Sequence, residues 1–241
     1  MVISTTPISI TAEAIADTIT LHEAVIARHS TRVFLPKPVP RSVLDAALDL
    51  ARYSPSNTNI QPWRLFVLAG HPLKQLKVAI LGAARATDEP LRAIPPLPAH
   101  LEPLRKALGA QVYGEGFGVE WNDRIGRREA VLRMFEFFDA PAAAVICVDK
   151  ELGRPDALSV GMYLQTLLLA LTAGGVGSCA EVAVAGYADL IKQEVGIPDN
   201  LAVICGLAIG YEDSEHAVNK IRPGRLLASE TTVMMGFEDQ E

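Results

Sequence analysis

The chain has little cysteine and no run of Lys and Arg, and each shortage closes off a class of function. Its three cysteines, Cys147, Cys179 and Cys205, are odd in number, lie far apart and never form a CxxC pair. That excludes a disulfide framework and a thiolate metal cluster, and it points to a reducing cytoplasm. No metal is expected. Lys and Arg total 22 against 28 Asp and Glu, with no basic run, so a nucleic-acid surface has no electrostatic basis. Met1 to Asp17 lacks the basic start and long apolar core of a secretory leader, and no segment reaches the ~20 apolar residues that cross a bilayer. Neither nucleic acid nor membrane is therefore an expected partner. What the chain does have is aliphatic bulk. With 241 residues, 49% of them hydrophobic, it can bury about 70–75% of its unfolded surface. A single domain over residues 21–241 is expected, after an N-terminal arm of residues 1–20.

Periodicity orders the elements. Thr20 and Glu23 have capping-box spacing, and Leu21, Ala24 and Val25 share a helical face, which predicts a helix to about Arg28. Pro36, Pro38 and Pro40 stiffen the connection to a second helix carrying Val43, Leu44, Ala47, Leu48 and Ala51, ending near Ser54-Pro55. Trp63 to Ala69 reads as a strand, and Gly70-His-Pro72 opens a helix with Leu73, Leu76, Ile80 and Leu81. Residues 87–126 break this rhythm with five prolines and the glycine-rich Tyr113-Gly-Glu-Gly-Phe-Gly118, and are expected to form a lid-like cover. Ala142 to Val148 and Leu201 to Ile209 read as buried strands. Ala157 to Ala173 reads as a core helix stopped by Gly174-Gly175. The tail, about 215–241, ends in Val233, Met234, Met235 and Phe237, which need a surface to cover them.

Two segments carry chemistry. In Arg28-His-Ser-Thr-Arg32 an extended backbone points Arg28, Ser30 and Arg32 the same way, so one anion can meet both guanidinium forks and the hydroxyl, with His29 on the opposite side. The preceding helix ends here with its partially negative terminus, so the arginines must supply the attraction. A phosphate monoester suits them, although R-x-S-x-R alone also describes a solvated surface. The second segment, Ser54-Pro-Ser-Asn-Thr-Asn-Ile-Gln-Pro-Trp63, concentrates hydroxyl and amide groups before a strand. It can serve the polar edge of a heteroaromatic ring or be a loop held by its own turns.

Together these segments resemble the nitroreductase family of FMN enzymes. Phe135-Glu-Phe-Phe-Asp-Ala-Pro141, Gly161-Met-Tyr-Leu-Gln165, Gly175-Val-Gly-Ser-Cys179 and Asn219-Lys-Ile-Arg222 are similar to the family's later landmarks. The likeness covers roughly Leu21 to Arg225 and looks closest to the subgroup acting on nitroaromatic acids. It implies an α/β (α+β) three-layer sandwich around a mixed central sheet, a C-terminal arm exchanged across a homodimer, and two FMN sites built from both chains. By that resemblance the Arg28, His29, Ser30 and Arg32 stretch, joined by Lys220 and Arg222, would hold the flavin phosphate and ribityl chain. Pro55, Ser56, Asn57 and Asn59 would approach from the other subunit. Cys179, Ala180 and Glu181 would face the reactive edge of the ring, with Cys179 a small packed residue and not a redox thiol.

The resemblance further implies a ping-pong oxidoreductase. NADH or NADPH would deliver a hydride to FMN, and a small electron-poor acceptor, a nitroaromatic or quinone, would receive the electrons, with no protein nucleophile. The lack of a glycine-rich dinucleotide fingerprint accords with a nicotinamide that visits only transiently. Tyr113, Phe117 and Trp121 are candidates for stacking on an aromatic acceptor, or for packing the cover onto the body. Reduction of an activated C=C bond, or the reverse desaturation, is the alternative chemistry, and a flavin carrier without turnover the alternative class. The chain departs from many relatives at Met134, where they carry Asn, and from some at Val182, where they carry Gly.

Overall fold

The structure is a computed structural model that describes residues 19–91 and 94–237; most of the expected N-terminal arm and the last four residues lie outside it. Helix α1 (Leu21–Ala27) begins at the anticipated capping box. The Thr20 hydroxyl accepts the Glu23 N–H at 3.2 Å, and the Glu23 carboxylate accepts the Thr20 N–H at 2.7 Å, which satisfies two donors that a bare helix end would leave unpaired. After the prolines comes α2 (Arg41–Ala51), then β1 (Arg64–Ala69) and α3 (Gly70–Arg85). Gly70 enters α3 at φ +58°, a left-handed geometry that costs glycine little.

The core is a sheet between two helical layers. Strands β2 (Ala142–Asp149) and β4 (Leu201–Gly210) lie at its centre, with β1 and β3 (Gly177–Glu181) as edges, in the order β1-β2-β4-β3. These four strands pair antiparallel throughout, and the parallel component of the expected mixed sheet is an isolated bridge between Ser30 and Ser178. Alternation along β2 feeds both layers. Ala143, Val145 and Cys147 pack with Leu76 and Ile80 of α3, Phe135 and Phe137, and Ile191 of α7 (Ala188–Val195). Ala142, Ala144 and Ile146 meet Ala47 and Ala51 of α2 and Val160, Leu167 and Leu171 of α6 (Arg154–Ala173). Each large side chain fully buried here contributes about 1.5–3 kcal/mol.

Helix α6 is the one helix among the described residues long and apolar enough, by length and composition, to span a membrane; its buried leucines face the sheet instead. The 87–126 excursion is more helical than its prolines and glycines suggest. It holds α4 (Glu102–Gly109) and a wide π turn at Ala110–Gly116, and α5 (Arg124–Leu132) begins inside it. It packs against its own chain's tail segment. A β-carbon on Gly116 would stand 2.8 Å from both Ile221 Cδ1 and Val218 Cγ2, so only glycine permits that approach. Beyond Pro223 the tail forms a short α8 (Ala228–Thr231) and then leaves Val233, Met235 and Phe237 more than three-quarters exposed.

Candidate active site

Residues 28–35 leave α1 in extended form and attach to the sheet at two points. The Thr31 N–H donates to Ser178 O at 3.0 Å, which lays the segment along the free edge of β3. The Leu35 N–H donates to Tyr211 O at 2.8 Å, and the Asp213 N–H to Val33 O at 3.1 Å. This edge attachment needs Gly177, because a β-carbon there would lie 2.6 Å from Thr31 Oγ1. The His29 ring bonds Ala27 O at 2.7 Å and Glu212 Oε1 at 3.0 Å.

The segment between β4 and α8 joins the same site through Asn219. This asparagine is 1% exposed. Its Oδ1 accepts the N–H of Arg32 at 2.8 Å and of Val33 at 3.3 Å, its Nδ2 donates to Val33 O and Asp213 O, and its backbone oxygen accepts from Arg222 at 2.6 Å. The predicted partners Arg28, Ser30, Arg32 and Arg222 are thus drawn together, and Arg225 joins them. Burial lowers the Arg28 pKa first, and the neighbouring Arg225 charge lowers it further. Among the described residues none of Arg28, Arg32, Arg222 or Arg225 forms an ion pair with a carboxylate. Lys220 differs, since its ammonium lies 3.3 Å from the exposed Glu215 carboxylate.

Beneath the arginines, β3 presents Cys179 and Glu181 inward and Ala180 outward. Burial pushes the Cys179 thiol up to about 12, the Glu181 carboxyl adds to the rise, and Arg32, a bond to Ser30 and Arg28 pull the other way. The thiol is therefore protonated and poorly nucleophilic, in keeping with a packing residue. Glu181 is 3% exposed, and neither carboxyl oxygen has a hydrogen-bond partner. Burial raises its pKa well above the usual carboxylate range, against the opposing pull of Arg32 and Lys77. Sequence reasoning passed over Lys77, which sits mid-helix in α3 and donates to Ala140 O at 2.9 Å. It also gave Arg225 no role, and it quoted Asn219 only as part of a motif.

The amide-rich loop sits elsewhere, on α6. The Asn57 N–H donates to the buried Ser159 hydroxyl at 3.1 Å, and Ser56 Oγ accepts the Gln61 N–H at 3.0 Å. Thr58, Asn59 and Gln61 adopt left-handed backbone, with φ of 46°, 58° and 49°, while Pro55, Asn57 and Asn59 face solvent. No hydrogen bond among the described residues joins this loop to residues 28–32 of the same chain. Of the excursion's aromatics, Tyr113 lies within electrostatic reach of Arg32 and Arg127, and burial raises its pKa. Phe117 packs edge-on to His216 at 6.1 Å beneath the Arg133 guanidinium. Trp121 is 69% exposed, lies under Arg127, and lines an open groove of about 830 Å³ with Arg124 and Leu91.

A cluster of guanidinium groups that form no ion pair among the described residues, beside a three-layer α/β body, can take an anion such as a phosphate. Residues 25–211 match the nitroreductase family, and the chain belongs to that family. It is 34% identical over 219 residues to a 4-nitrobenzoate reductase of Pseudomonas putida, covering 90% of this chain and 96% of that protein. Two solved structures share the fold closely. The FMN and NADPH-dependent nitroreductase NfnB of Sphigopyxis sp. strain HMH has a TM-score of 0.86 and 28% identity, over 91% of this chain and all of that one. The FMN-dependent nitroreductase NfnB of Mycobacterium smegmatis, in complex with NADPH, has a TM-score of 0.82 and 29% identity, over 89% and 97%.

Proposed function

We propose that the protein is an FMN-dependent oxidoreductase that uses NADH or NADPH to reduce nitroaromatic compounds and similar electron-poor acceptors. The observation that carries this reading is the set of uncompensated arginines. Four like charges held together without carboxylates are stable only beside a counterion, and their forks suit the phosphate of a flavin mononucleotide. Bound there, FMN supplies two-electron exchange between a nicotinamide and an acceptor. Arg28, Ser30, Arg32 and Arg222 hold the phosphate and ribityl end, and Arg225 adds to the positive field. Lys220 reaches the flavin after release from Glu215. Ala180 and the backbone of β3 face the ring, and Tyr113, beside Arg32, borders the space for the acceptor.

The reading includes a homodimer in which residues 21–241 act as one domain and the tail beyond Pro223 crosses to the partner. Supporting it are the bare apolar face of the tail and the loop of Pro55, Ser56, Asn57 and Asn59. That loop presents its amides to solvent on α6, where a second copy's flavin site can use them. The buried free thiols suit a cytoplasmic setting. The test is direct: protein loaded with FMN should oxidise NADPH or NADH when 4-nitrobenzoate or a quinone is supplied, with the parallel reciprocal plots of a ping-pong reaction. Failure to take up FMN overturns the proposal.

A further inference from the structure

From the geometry we infer that Asn219 is the positioning residue of the phosphate site: it holds the two arginine-bearing segments in the one arrangement that distinguishes a phosphorylated flavin from its dephosphorylated form. The inference rests on the reading that Arg28, Ser30, Arg32 and Arg222 bind the FMN phosphate. Residues 28–35 and 213–225 come from opposite ends of the chain, and the Arg225 charge works against that of Arg28. Something must hold them together before a ligand arrives.

The side-chain amide does so with all its capacity. Its oxygen takes the N–H groups of Arg32 and Val33, and its nitrogen gives one bond to Val33 O at 2.7 Å and another to Asp213 O at 2.9 Å. Only a carboxamide can accept twice and donate twice from one short stem. An aspartate lacks the donors, and a glutamine is one carbon too long. The same residue's carbonyl accepts Arg222 at 2.6 Å, so the backbone under Arg32 and the guanidinium of Arg222 share one anchor. At 1% exposure water cannot replace these bonds, and each one lost leaves a buried polar group unpaired. Asn219 does not touch the phosphate; it sets the spacing of the groups that do.

The readout is the ratio of riboflavin Kd to FMN Kd, because riboflavin lacks only the phosphate. Wild-type protein should bind FMN far more tightly than riboflavin. If wild type shows no such preference, the phosphate-site reading itself fails, independently of Asn219. Given that preference, Asn219→Ala should weaken FMN binding about 10- to 100-fold, the equivalent of one or two displaced charge-assisted bonds, and leave riboflavin binding within about threefold. Asn219→Ser, which retains one donor and one acceptor, should fall between. An unchanged ratio in a folded variant overturns the inference. So does a failure of both variants to fold, since the residue would then serve the fold and not the site.

Discussion

Thr31 Oγ1 occupies the space that a β-carbon on Gly177 would need, 2.6 Å away, and this contact decides whether residues 28–32 can lie along β3. Gly177→Ala should push the segment off the sheet edge and weaken the Thr31 to Ser178 bond. The expected cost is about 1–3 kcal/mol of stability, typical of overpacking, together with a loss of FMN affinity. Thermal melts and flavin titration of the variant check both. Wild-type affinity in a destabilised variant would show that the edge attachment does not shape the site.

Arg28 tests whether the arginines serve a ligand or the fold. Its partial burial and the nearby Arg225 charge both work against it in the free protein, and it has no carboxylate partner to lose. Arg28→Met should therefore leave the melting temperature of the flavin-free protein unchanged or slightly raised. FMN Kd should rise by about 10- to 100-fold, from loss of charge-assisted bonds worth about 1.5–3 kcal/mol. A large fall in apo stability with unchanged FMN affinity would assign Arg28 to the fold.

How much of this was legible in the sequence follows from how local each signal is. The α1 cap, the continuous apolar run of β2 and the glycine stop of α6 depend on neighbours a few residues apart, and the structure has them at those positions. Strand β3 was missed as a strand. It is short, opens on Gly177 and carries Ser178 and Glu181, so its strand character comes from pairing with β4 and not from composition. Helix α5, rich in arginine, was hidden by the irregular stretch before it, and α7 by its brevity. At the site, R-x-S-x-R could be read because alternation alone aligns its side chains. Asn219 could not, since its partners Arg32 and Val33 are 187 and 186 positions away.

Glu181 yields a pH prediction. Burial raises its carboxyl pKa in the folded protein well above the ordinary value of 4.5, while the unfolded chain keeps that ordinary value. The folded state then binds the proton more tightly, so its advantage is complete below pH 4.5 and is lost as pH rises toward the folded pKa. Glu181→Gln, which mimics the protonated form, should match wild type near pH 4. It should become progressively more stable than wild type as pH rises. Chemical denaturation of both proteins across this range measures the gap; a constant gap would mean that Glu181 is not held as a neutral acid.

Ser159 is the anchor of the amide-rich loop. Its hydroxyl accepts the Asn57 N–H at 3.1 Å, and removing it in Ser159→Ala should cost about 1 kcal/mol. Faster amide hydrogen exchange at Asn57 to Asn59 is expected. If those amides exchange at the wild-type rate, the loop is held by its own turns.

The central claim is that the uncompensated arginines make this chain an FMN enzyme acting on nitroaromatic compounds. It is tested most directly by following NADPH and NADH oxidation with 4-nitrobenzoate after flavin-free protein is supplied with FMN or, separately, with riboflavin at equal concentration. The account predicts rapid, acceptor-dependent oxidation with FMN and little with riboflavin. Equal rates with the two flavins, or no oxidation with either, would contradict it.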